Sequence, residues 1–218
     1  MASEVRTGEA ITYYLRRGFG PLLRGLFLRW QFKSCRSPLF ISRGCRFYFP
    51  RFISLGSGVS FGPDCTINGL SKKGMKIGNH VHFREYVSIQ ATSRLDDPGE
   101  GLEIGDNTYI APYVYMGAGG GIRIGKDVAI GMHVHLLAEN HHFDDISQPI
   151  REQGVSRKGI VIGDDVWIGN HTVILDGVEI GKGCVIGAGS VVTRSLPAGS
   201  VAAGNPARVL KTRGQVQP

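Results

Sequence analysis

The chain has 218 residues, which is enough for one or two domains, and its apolar content is ordinary for a soluble protein. No run of about 20 apolar residues could span a bilayer. The N-terminus also lacks the apolar core and cleavage site of a secretory signal. Four cysteines without a CxxC spacing favour a reduced, cytoplasmic setting. We therefore expect neither a transmembrane nor a secreted protein.

The first 50 residues carry all of the excess positive charge. They hold nine Lys/Arg and two acids, whereas residues 51–218 hold sixteen of each sign, which accounts for the net charge of +7. A basic segment suits an anionic partner such as a membrane surface, a nucleic acid or a phosphorylated lipid, and a solvated basic arm is the alternative. Within this segment, apolar residues recur at helical steps of three and four, at Ile11, Leu15, Phe19, Leu22, Leu26 and Trp30.

This amphipathic pattern predicts a short helical segment that makes a peripheral membrane contact through residues 11–36. The helix should be broken by Gly18, Gly20, Pro21 and Gly25. In the alternative interpretation, the same apolar residues cap the open end of the structure that follows, because an uncapped end would expose strand edges. The sequence leaves both interpretations open.

Further along the chain, a large aliphatic residue followed by glycine recurs every six residues. The clearest run is Ile162-Gly163, Ile168-Gly169, Ile174, Ile180-Gly181 and Ile186-Gly187. A small or β-branched residue follows four positions after each large one, as in Val166, Thr172, Val178 and Cys184. Six is an even number and not a multiple of 3.6, so these residues share one face of a strand but would scatter around a helix. Each glycine suits a tight corner where φ is positive.

Three such short sides predict a triangular coil of eighteen residues, so that residue n stacks on residue n+18 at about 4.8 Å. The predicted fold class is therefore all-β, a parallel β-helix with a short N-terminal helical segment. A Gly-rich β-sandwich is the alternative, but it would show strands of variable length rather than a fixed step of six.

The repeat is interrupted in four places, which are the residues after Ile67, residues 91–103, residues 118–121 and the stretch from His141 to Gly159. The last interruption is the longest, so we expect one long extruded loop at a corner of the coil. Long loops on rigid scaffolds often carry function. We divide the chain into a basic amphipathic segment 1–50, a β-helix domain 51–204 with its loop at 141–159, and a basic C-terminal tail 205–218.

Four motifs carry a resemblance to a known family. They are Asn140-His141-His142-Phe143-Asp144-Asp145, Ile162-Gly163-Asp164-Asp165-Val166-Trp167-Ile168-Gly169, Ile186-Gly187-Ala188-Gly189-Ser190-Val191-Val192-Thr193 and Ala203-Gly204-Asn205-Pro206-Ala207-Arg208-Val209. In this order, over roughly residues 53–211, they resemble the hexapeptide-repeat acyltransferases. The match is closest to the sugar O-acetyltransferases, which include galactoside and maltose acetyltransferase and exopolysaccharide-modifying enzymes. The resemblance implies a left-handed β-helix, a homotrimer with active sites between subunits, and acetyl-CoA as the donor.

The resemblance also implies that His141, at the start of the extruded loop, is the general base. A sugar hydroxyl needs such a base to attack a thioester, and a neutral histidine suits this task near pH 7. The thiolate leaves readily, so we expect direct attack without an acyl-enzyme. By resemblance, the backbone N–H of Asn170 stabilises the tetrahedral oxyanion. His142 is the rival base, and we prefer His141 because it directly follows Asn140 and precedes Phe143 by two, as in the family motif.

Other positions match the family's cofactor and acceptor contacts. Trp167 resembles the aromatic wall beside the CoA arm, and packing at a subunit contact is the alternative. The positions that match contacts to the pantetheine, the adenine and the phosphates are Ala188, Thr193, Arg194, Arg208 and Lys211. Cationic groups near the C-terminus suit a polyanionic cofactor, although a solvated basic tail would look the same. The candidates for contacts with the acceptor are Arg84, Gln90 and Asn140.

We expect no metal. His133 and His135 share one side of a strand by alternation, but two ligands do not make a zinc site. The γ-type carbonic anhydrases share this fold and hold a metal on three histidines, with a close pair separated by four residues. No histidine pair in this chain has that spacing.

The sequence thus predicts a trimeric, acetyl-CoA-dependent O-acetyltransferase that acts on a saccharide, such as a polysaccharide or lipopolysaccharide precursor. We expect it in the cytoplasm, at the inner face of the membrane, without a nucleic-acid partner. The alternatives are an N-acetyltransferase that acts on an amino sugar, an acetyltransferase that acts on an antibiotic, and a non-catalytic β-helix scaffold.

Overall fold

The structure is a computed structural model, and it describes residues 18–92 and 94–214. The main body is a left-handed parallel β-helix, which confirms the predicted fold class. Three parallel sheets form the walls of a triangular prism, and the chain visits the three sheets in turn on every coil. We call the walls sheets A, B and C, and we name each edge of the prism by the two sheets that it joins.

Sheet A contains β1 (Ser34–Cys35), β4 (Ile53–Leu55), β7 (Met75–Ile77), β10 (Leu102–Ile104), β13 (Ile122–Ile124), β18 (Ile160–Ile162) and β21 (Glu179–Ile180). Sheet B contains β2 (Leu39–Ile41), β5 (Val59–Phe61), β8 (His82–Phe83), β11 (Tyr109–Ile110), β14 (Ala129–Ile130), β19 (Trp167–Ile168), β22 (Val185–Ile186), β24 (Ser200–Gly204) and β25 (Ala207–Thr212). Sheet C contains β3 (Arg46–Tyr48), β6 (Thr66–Asn68), β9 (Ser88–Gln90), β12 (Tyr115–Gly117), β15 (His135–Leu137), β20 (Val173–Leu175) and β23 (Val191–Val192). A separate antiparallel pair consists of β16 (Asn140–His141) and β17 (Val155–Ser156).

The eighteen-residue register holds where the repeat is uninterrupted. Trp167 pairs with Val185, eighteen positions later. At the BC edge, four residues separate each sheet B strand from the next sheet C strand, from Ile41–Arg46 through to Ile186–Val191. The CA edge varies instead, with eleven residues between Gln90 and Leu102 and twenty-two between Leu137 and Ile160. The insertions predicted from the broken repeat therefore all leave the prism at the CA edge.

The core contains the residues that the six-step pattern selects. The large residues of each strand and their small partners four positions later are buried, including Cys184 at 0% exposure, as predicted. The polar members of the second set bond to corner carbonyls. Thr172 donates its hydroxyl to the carbonyl of Gly169 at 2.8 Å, and Thr108 donates to that of Gly125 at 3.2 Å. This satisfies their buried hydroxyl groups inside an apolar core.

Glycine follows the large residues for a reason other than the predicted positive φ. The φ-positive residues lie two positions later, and many are not glycine, as with His133 (φ 56°) and His171 (φ 58°). Gly131 shows the actual reason, because a Cβ there would lie 2.7 Å from the backbone nitrogen of Asn170 in the next coil. At Gly131 the close approach of the next coil at the strand spacing, and not a positive φ, therefore accounts for glycine.

The N-terminal segment begins its described part with helix α1 (Gly20–Leu28), which has Pro21 in its first turn, and continues with a 3₁₀ turn at Arg29–Gln31. Pro21 and Gly25 are buried against β2, and Arg24 donates its Nε–H to the carbonyl of Ile41 at 2.8 Å. Phe32 then packs edge-on against Phe47 at 5.1 Å. This side of the segment caps the first coil.

The apolar residues that the sequence pattern selected do not cap the β-helix. Phe19, Leu26 and Trp30 are 57%, 42% and 82% exposed. Ile11 and Leu15, with the rest of residues 11–17, lie outside the described residues. No helix within residues 18–92 and 94–214 has the length and apolar character needed to cross a membrane.

The boundaries of the β-helix differ from the expected ones. Strands β1 to β3, within the segment assigned to residues 1–50, already pair with β4 to β6, so the coils begin at Ser34. At the other end, β25 folds back antiparallel to β24, with Gly204 paired to Ala207. Residues 205–214 therefore continue sheet B and cover its last strand, and residues 215–218 lie outside the described part.

Candidate active site

The extruded loop stands on a narrow neck at the CA edge. It leaves the prism after β15 and returns at β18. Its two ends form the antiparallel pair β16–β17, which matches Asn140 with Ser156 and His141 with Val155. The N–H of His142 extends this ladder by donating to the carbonyl of Gly154 at 3.1 Å. His141 therefore lies on the neck and not on a coil.

His141 and His142 are both exposed, and neither imidazole has a hydrogen-bond partner within the described residues. An exposed imidazole without a partner can take a proton from a substrate. Consecutive residues of a strand point to opposite faces, so the two imidazoles lie on opposite faces of the neck. Only one of them can face a given acceptor.

Asn170 lies at the BC edge, at a corner position where a side-chain oxygen of the next coil can accept a backbone N–H. The N–H of Met132 donates to Oδ1 of Asn170 at 2.9 Å, and at the AB edge Lys126 donates to Oδ1 of Asp164 at 2.9 Å. Ala188 occupies the corresponding place above Asn170 and has no acceptor to offer. Among the residues that the structure describes, the N–H of Asn170 consequently has no acceptor.

Several predicted cofactor residues gather near Asn170. Trp167 projects from sheet B with 58% of its surface exposed. The register of sheet B continues from Trp167 through Val185, Val201 and Lys211, in steps of about 4.8 Å. Arg208 is exposed on the same last strand, and Ala188 is exposed at the adjoining edge. The exposed ring of Trp167 is thus followed along sheet B, three strands further on, by two cationic side chains of the last strand.

The remaining predicted residues lie apart from this group within one protomer. Thr193 and Arg194 follow β23 at the CA edge. Arg84 is at the BC edge but three coils before Asn170, roughly 14 Å away along the prism, and its Nε–H donates to Glu85 at 3.1 Å. Gln90 ends β9, two coils before Leu137 in sheet C. Of the acceptor candidates, only Asn140 adjoins His141.

Comparisons with known proteins agree with this architecture. Residues 159–194 match the family described as bacterial transferase hexapeptide (six repeats). The chain is 34% identical over 139 residues to WbbJ of Escherichia coli, which is provisionally named a lipopolysaccharide biosynthesis O-acetyl transferase, and the match covers 60% of this chain and 71% of WbbJ. The chain belongs to the hexapeptide-repeat transferase family.

Two further similarities extend this finding. Galactoside O-acetyltransferase of Escherichia coli is 38% identical over 128 residues, which cover 50% of this chain and 62% of that protein. A point mutant of AntD, an N-acyltransferase from Bacillus cereus crystallised with dTDP and coenzyme A, has a TM-score of 0.59 and 25% identity, covering 86% of this chain and 88% of AntD. The chain spans between 44% and 71% of the length of the curated relatives with which it was compared.

In this hexapeptide-repeat transferase, a single protomer keeps the two predicted catalytic groups apart. His141 is at the CA edge and Asn170 is at the BC edge, so the whole width of sheet C lies between them. That width is about six residues, or roughly 20 Å at the rise of a strand. One protomer alone therefore does not bring the imidazole to the open N–H.

The structure also contains features that the sequence did not indicate. Four rings stack along the BC edge with centroids 4.8–4.9 Å apart, namely Tyr86, Tyr113, His133 and His171, of which His133 is half-buried and the other three are exposed. The expectation that His133 and His135 share a strand face is wrong, because His133 is a left-handed corner residue and His135 projects from sheet C beside Tyr115. Among residues 18–92 and 94–214, no group of three or more His, Cys, Asp or Glu is placed to hold a metal.

A charged network at the CA edge was missed as well. Arg157 bonds to both Asp97 and Glu139, which come from the two longest insertions. Sixty positions separate Asp97 from Arg157, and no periodicity relates them. The only available signal was that both insertions interrupt the repeat at the same phase.

Proposed function

We propose that this hexapeptide-repeat transferase is an acetyl-CoA-dependent O-acetyltransferase that acts on a hydroxyl of a saccharide. The observation that carries the proposal is the open backbone N–H of Asn170 beside an exposed tryptophan, on a chain that also presents an unpaired imidazole on an extruded loop. The names of WbbJ and galactoside O-acetyltransferase support transfer to oxygen.

In the proposed reaction, His141 takes the proton from the acceptor hydroxyl while that oxygen attacks the thioester carbonyl. The N–H of Asn170 donates to the oxyanion that forms, and this hydrogen bond is stronger in the transition state than in the substrate. The intermediate then collapses, the carbon–sulfur bond breaks, and the thiolate of CoA takes the proton from the imidazolium. No residue of the chain becomes acylated.

The cofactor residues would bind acetyl-CoA along sheet B. Trp167 and Ala188 would contact the apolar arm, and the cations of Arg208 and Lys211 suit the phosphates at its other end. Thr193 and Arg194 lie at the CA edge of the same protomer, so we propose that they contact a cofactor bound mainly by a neighbouring copy.

We propose a homotrimer for the same reason. His141 and Asn170 are on different edges of one prism, so a complete site needs the CA edge of one copy beside the BC edge of another. Three copies around a threefold axis produce three such sites. The outward residues of sheet C and of the BC edge, which include the stacked rings of Tyr86 and Tyr113, are largely uncharged and suit contact between copies. Sedimentation of a stable monomer that retains transferase activity would contradict this assembly.

The three candidate acceptor residues lie at two separate places along the prism. Asn140 adjoins the proposed base, whereas Arg84 and Gln90 lie in earlier coils and would contact only an extended acceptor. AntD is an N-acyltransferase of the same fold, so an amino sugar is the second candidate acceptor. Alkaline hydroxylamine distinguishes the two products because it cleaves an ester and spares an amide.

The central test measures CoA release with a thiol-reactive dye against a panel of hexosides, nucleotide-linked sugars, amino sugars and lipid-linked saccharides. We expect His141→Ala to lower kcat by about 10²–10⁴-fold, because the acceptor hydroxyl loses its base. His142→Ala, on the opposite face of the neck, should retain most of the activity. If His142→Ala is the inactive variant, the two roles are exchanged, and if both variants turn over like wild type, the mechanism is wrong.

We also propose that the N-terminal segment holds the enzyme at the inner face of the membrane. No acidic residue occurs from position 10 to position 63, and Phe27 and Trp30 are more than 80% exposed beside Arg29. Apolar side chains among cations suit an anionic bilayer surface, and a trimer would present three such segments in one direction. Wild type should float with phosphatidylglycerol vesicles and Phe27→Ser/Trp30→Ser should not, whereas equal flotation of both would exclude this role.

A further inference from the structure

Arg157 joins the two longest insertions of the CA edge. Its Nε–H donates to Oε2 of Glu139 at 2.6 Å, while Nη1 and Nη2 donate to the two carboxylate oxygens of Asp97 at 2.8 and 2.7 Å. Only 23% of the arginine side chain is exposed. A guanidinium that is bidentate to one carboxylate and bonded to a second is fixed in orientation as well as in position.

The two carboxylates belong to different parts of the edge. Glu139 directly precedes β16 and Arg157 directly follows β17, so their ion pair comes one residue below the rung that joins Asn140 to Ser156. Asp97 belongs to the insertion between β9 and β10, and its carbonyl accepts the hydroxyl of Thr92 at 2.7 Å. Arg157 therefore connects the base of the His141 loop to a second loop that is itself anchored.

The second loop is anchored to the coils by its backbone. The N–H of Lys72 donates to the carbonyl of Gly99 at 2.8 Å, and the N–H of Glu100 donates to that of Gly119 at 3.0 Å.

The guanidinium of Arg157 also lowers the pKa of Asp97 below its usual range, mainly through their hydrogen bond. The carboxylate of Asp97 therefore stays charged at neutral pH, and the connection persists.

The neck depends on such connections because it is small. A ladder of two residue pairs is not stable by itself in water. Its return strand is held by Asp176, which accepts the N–H groups of Lys158 and Gly159 at 2.9 and 2.7 Å. Within the described residues, the outgoing strand, which carries His141, is bonded through the side chain of Glu139 to Arg157, and Arg157 is bonded in turn to Asp97 of the second loop.

We propose that Arg157 is a positioning residue for His141. By tying Glu139 to Asp97 it fixes the neck of the extruded loop against the β-helix, and so fixes where the imidazole stands relative to the thioester. A small displacement of a catalytic base is costly to the rate, because the reacting atoms must already be aligned. The inference rests on the proposed role of His141, and it assigns to Arg157 no contact with substrate.

Hydrogen exchange of the protein without substrates tests the connection itself. In Arg157→Met, which keeps the length of the side chain and removes its charge, the amides of residues 140–142 and 154–156 should exchange about tenfold faster or more. Amides of β13 and β18 should be unchanged. Arg157→Lys should lie between the two, because an ammonium keeps the charge but cannot donate to both carboxylates in a fixed fork. Unchanged exchange at the neck in Arg157→Met overturns the proposal.

Kinetics with acetyl-CoA and the best acceptor of the panel tests the consequence. Arg157→Met should lower kcat by about 10–100-fold with an unchanged KM for acetyl-CoA, and Arg157→Lys should recover part of the loss. Adding Asp97→Asn to Arg157→Met should cost nothing more, since both changes break one connection. Arg151→Met is the matched control, because Arg151 belongs to the same loop but is 84% exposed, and it should keep the wild-type kcat.

The outcomes separate this inference from the proposed function. If the neck exchanges faster but kcat is unchanged while His141→Ala is inactive, Arg157 does not position the base, and the inference is overturned. If His141→Ala itself keeps its turnover, the proposed function fails, and the assignment of Arg157 to a catalytic base fails with it. A loss of kcat in Arg151→Met equal to that in Arg157→Met would also overturn the inference, because any charge in the loop would then matter equally.

Discussion

The BC and CA edges of the prism are built from the same coils and differ in almost every other respect. At the BC edge, every crossing takes four residues, and the same backbone conformation repeats from coil to coil. At the CA edge the crossings range up to twenty-two residues and include the extruded loop. One edge is thus a periodic column, and the other is a set of individual loops.

The difference shows how a repetitive fold acquires a site. Repetition at the BC edge aligns equivalent groups, so two successive corners can be compared directly. Oδ1 of Asn170 accepts the N–H of Met132, whereas above the N–H of Asn170 there is only the methyl group of Ala188. The CA edge contributes what repetition cannot, an imidazole carried away from the coils. The proposed chemistry needs one group from each edge, which is why it needs more than one copy of the chain.

Among the tests of this comparison between the two edges, we expect Ala188→Asn to have the largest effect on kcat. Asparagine at 188 should accept the N–H of Asn170, as Asn170 accepts that of Met132 at 2.9 Å. The oxyanion donor is then occupied, and kcat should fall by about 10²–10³-fold with stability unchanged or improved. Steady-state kinetics and thermal unfolding measure the two quantities.

Two controls determine what the loss means. Ala188→Leu has nearly the same shape without an acceptor, so it should lose far less activity than Ala188→Asn. Ala198→Asn makes the same change above Lys182 at the AB edge, and it should leave kcat unchanged. If Leu and Asn at position 188 are equally damaging, the effect is steric and the N–H of Asn170 is not the donor.

Periodicity explains why the regular part of the fold could be predicted. The step of six correctly placed Ile168, Cys184 and the other inward residues, because an even period and a fixed corner length leave little freedom. It failed for the corner glycines, because the sequence shows that glycine recurs but not whether φ or the approach of the next coil requires it. It also failed for His133, whose neighbours alternate as in a strand although the residue itself is at a corner.

The sequence predicted where the insertions of the CA edge occur, but it did not predict how they fold. A break in the repeat indicates where an insertion occurs, and the motif around His141 identifies one of these insertions. The residues within an insertion do not repeat at a fixed period, so the sequence does not predict which of them are in contact. The bonds of Arg157 to Asp97 and Glu139 depend on how two loops fold against each other. Similarly, β1 to β3 were missed because they lack the glycine that marks the later repeats, since Cys35 is followed by Arg36 and Ile41 by Ser42.

A second prediction compares one glycine from each edge. A Cβ on Gly131 would meet the backbone nitrogen of Asn170 at 2.7 Å, whereas one on Gly154, in the extruded loop, would meet nothing within 4 Å. Gly131→Ala should therefore lower the free energy of unfolding by about 1–3 kcal/mol. Gly154 has φ of 81°, so Gly154→Ala is strained, but by only about 1 kcal/mol in a segment that can open locally.

Chemical denaturation monitored by circular dichroism measures the free energy of unfolding of the two variants and shows which of them is less stable. Both substitutions add one methyl group, so composition does not explain a difference between them. If Gly154→Ala destabilises the global transition more than Gly131→Ala, close stacking of the coils is not what the corner glycines protect.

The smallest expected effect concerns the ring stack of the BC edge. Tyr113 lies between Tyr86 and His133, with centroids 4.9 and 4.8 Å away and nearly parallel planes. The stack follows from the periodic backbone, because corner residues with the same left-handed conformation send their side chains in the same direction at the strand spacing. Tyr113→Ala should lower the free energy of unfolding by about 1–2 kcal/mol, since two ring contacts are lost.

Tyr109→Ala is the matched control for the ring stack. Tyr109 is 42% exposed against 44% for Tyr113, and it stacks on no ring within the described residues. Urea denaturation should show Tyr113→Ala to be the less stable of the two by about 1 kcal/mol. Equal stabilities would mean that the rings merely follow the backbone and contribute nothing to it, and the stack would then have to be explained by contact with another copy.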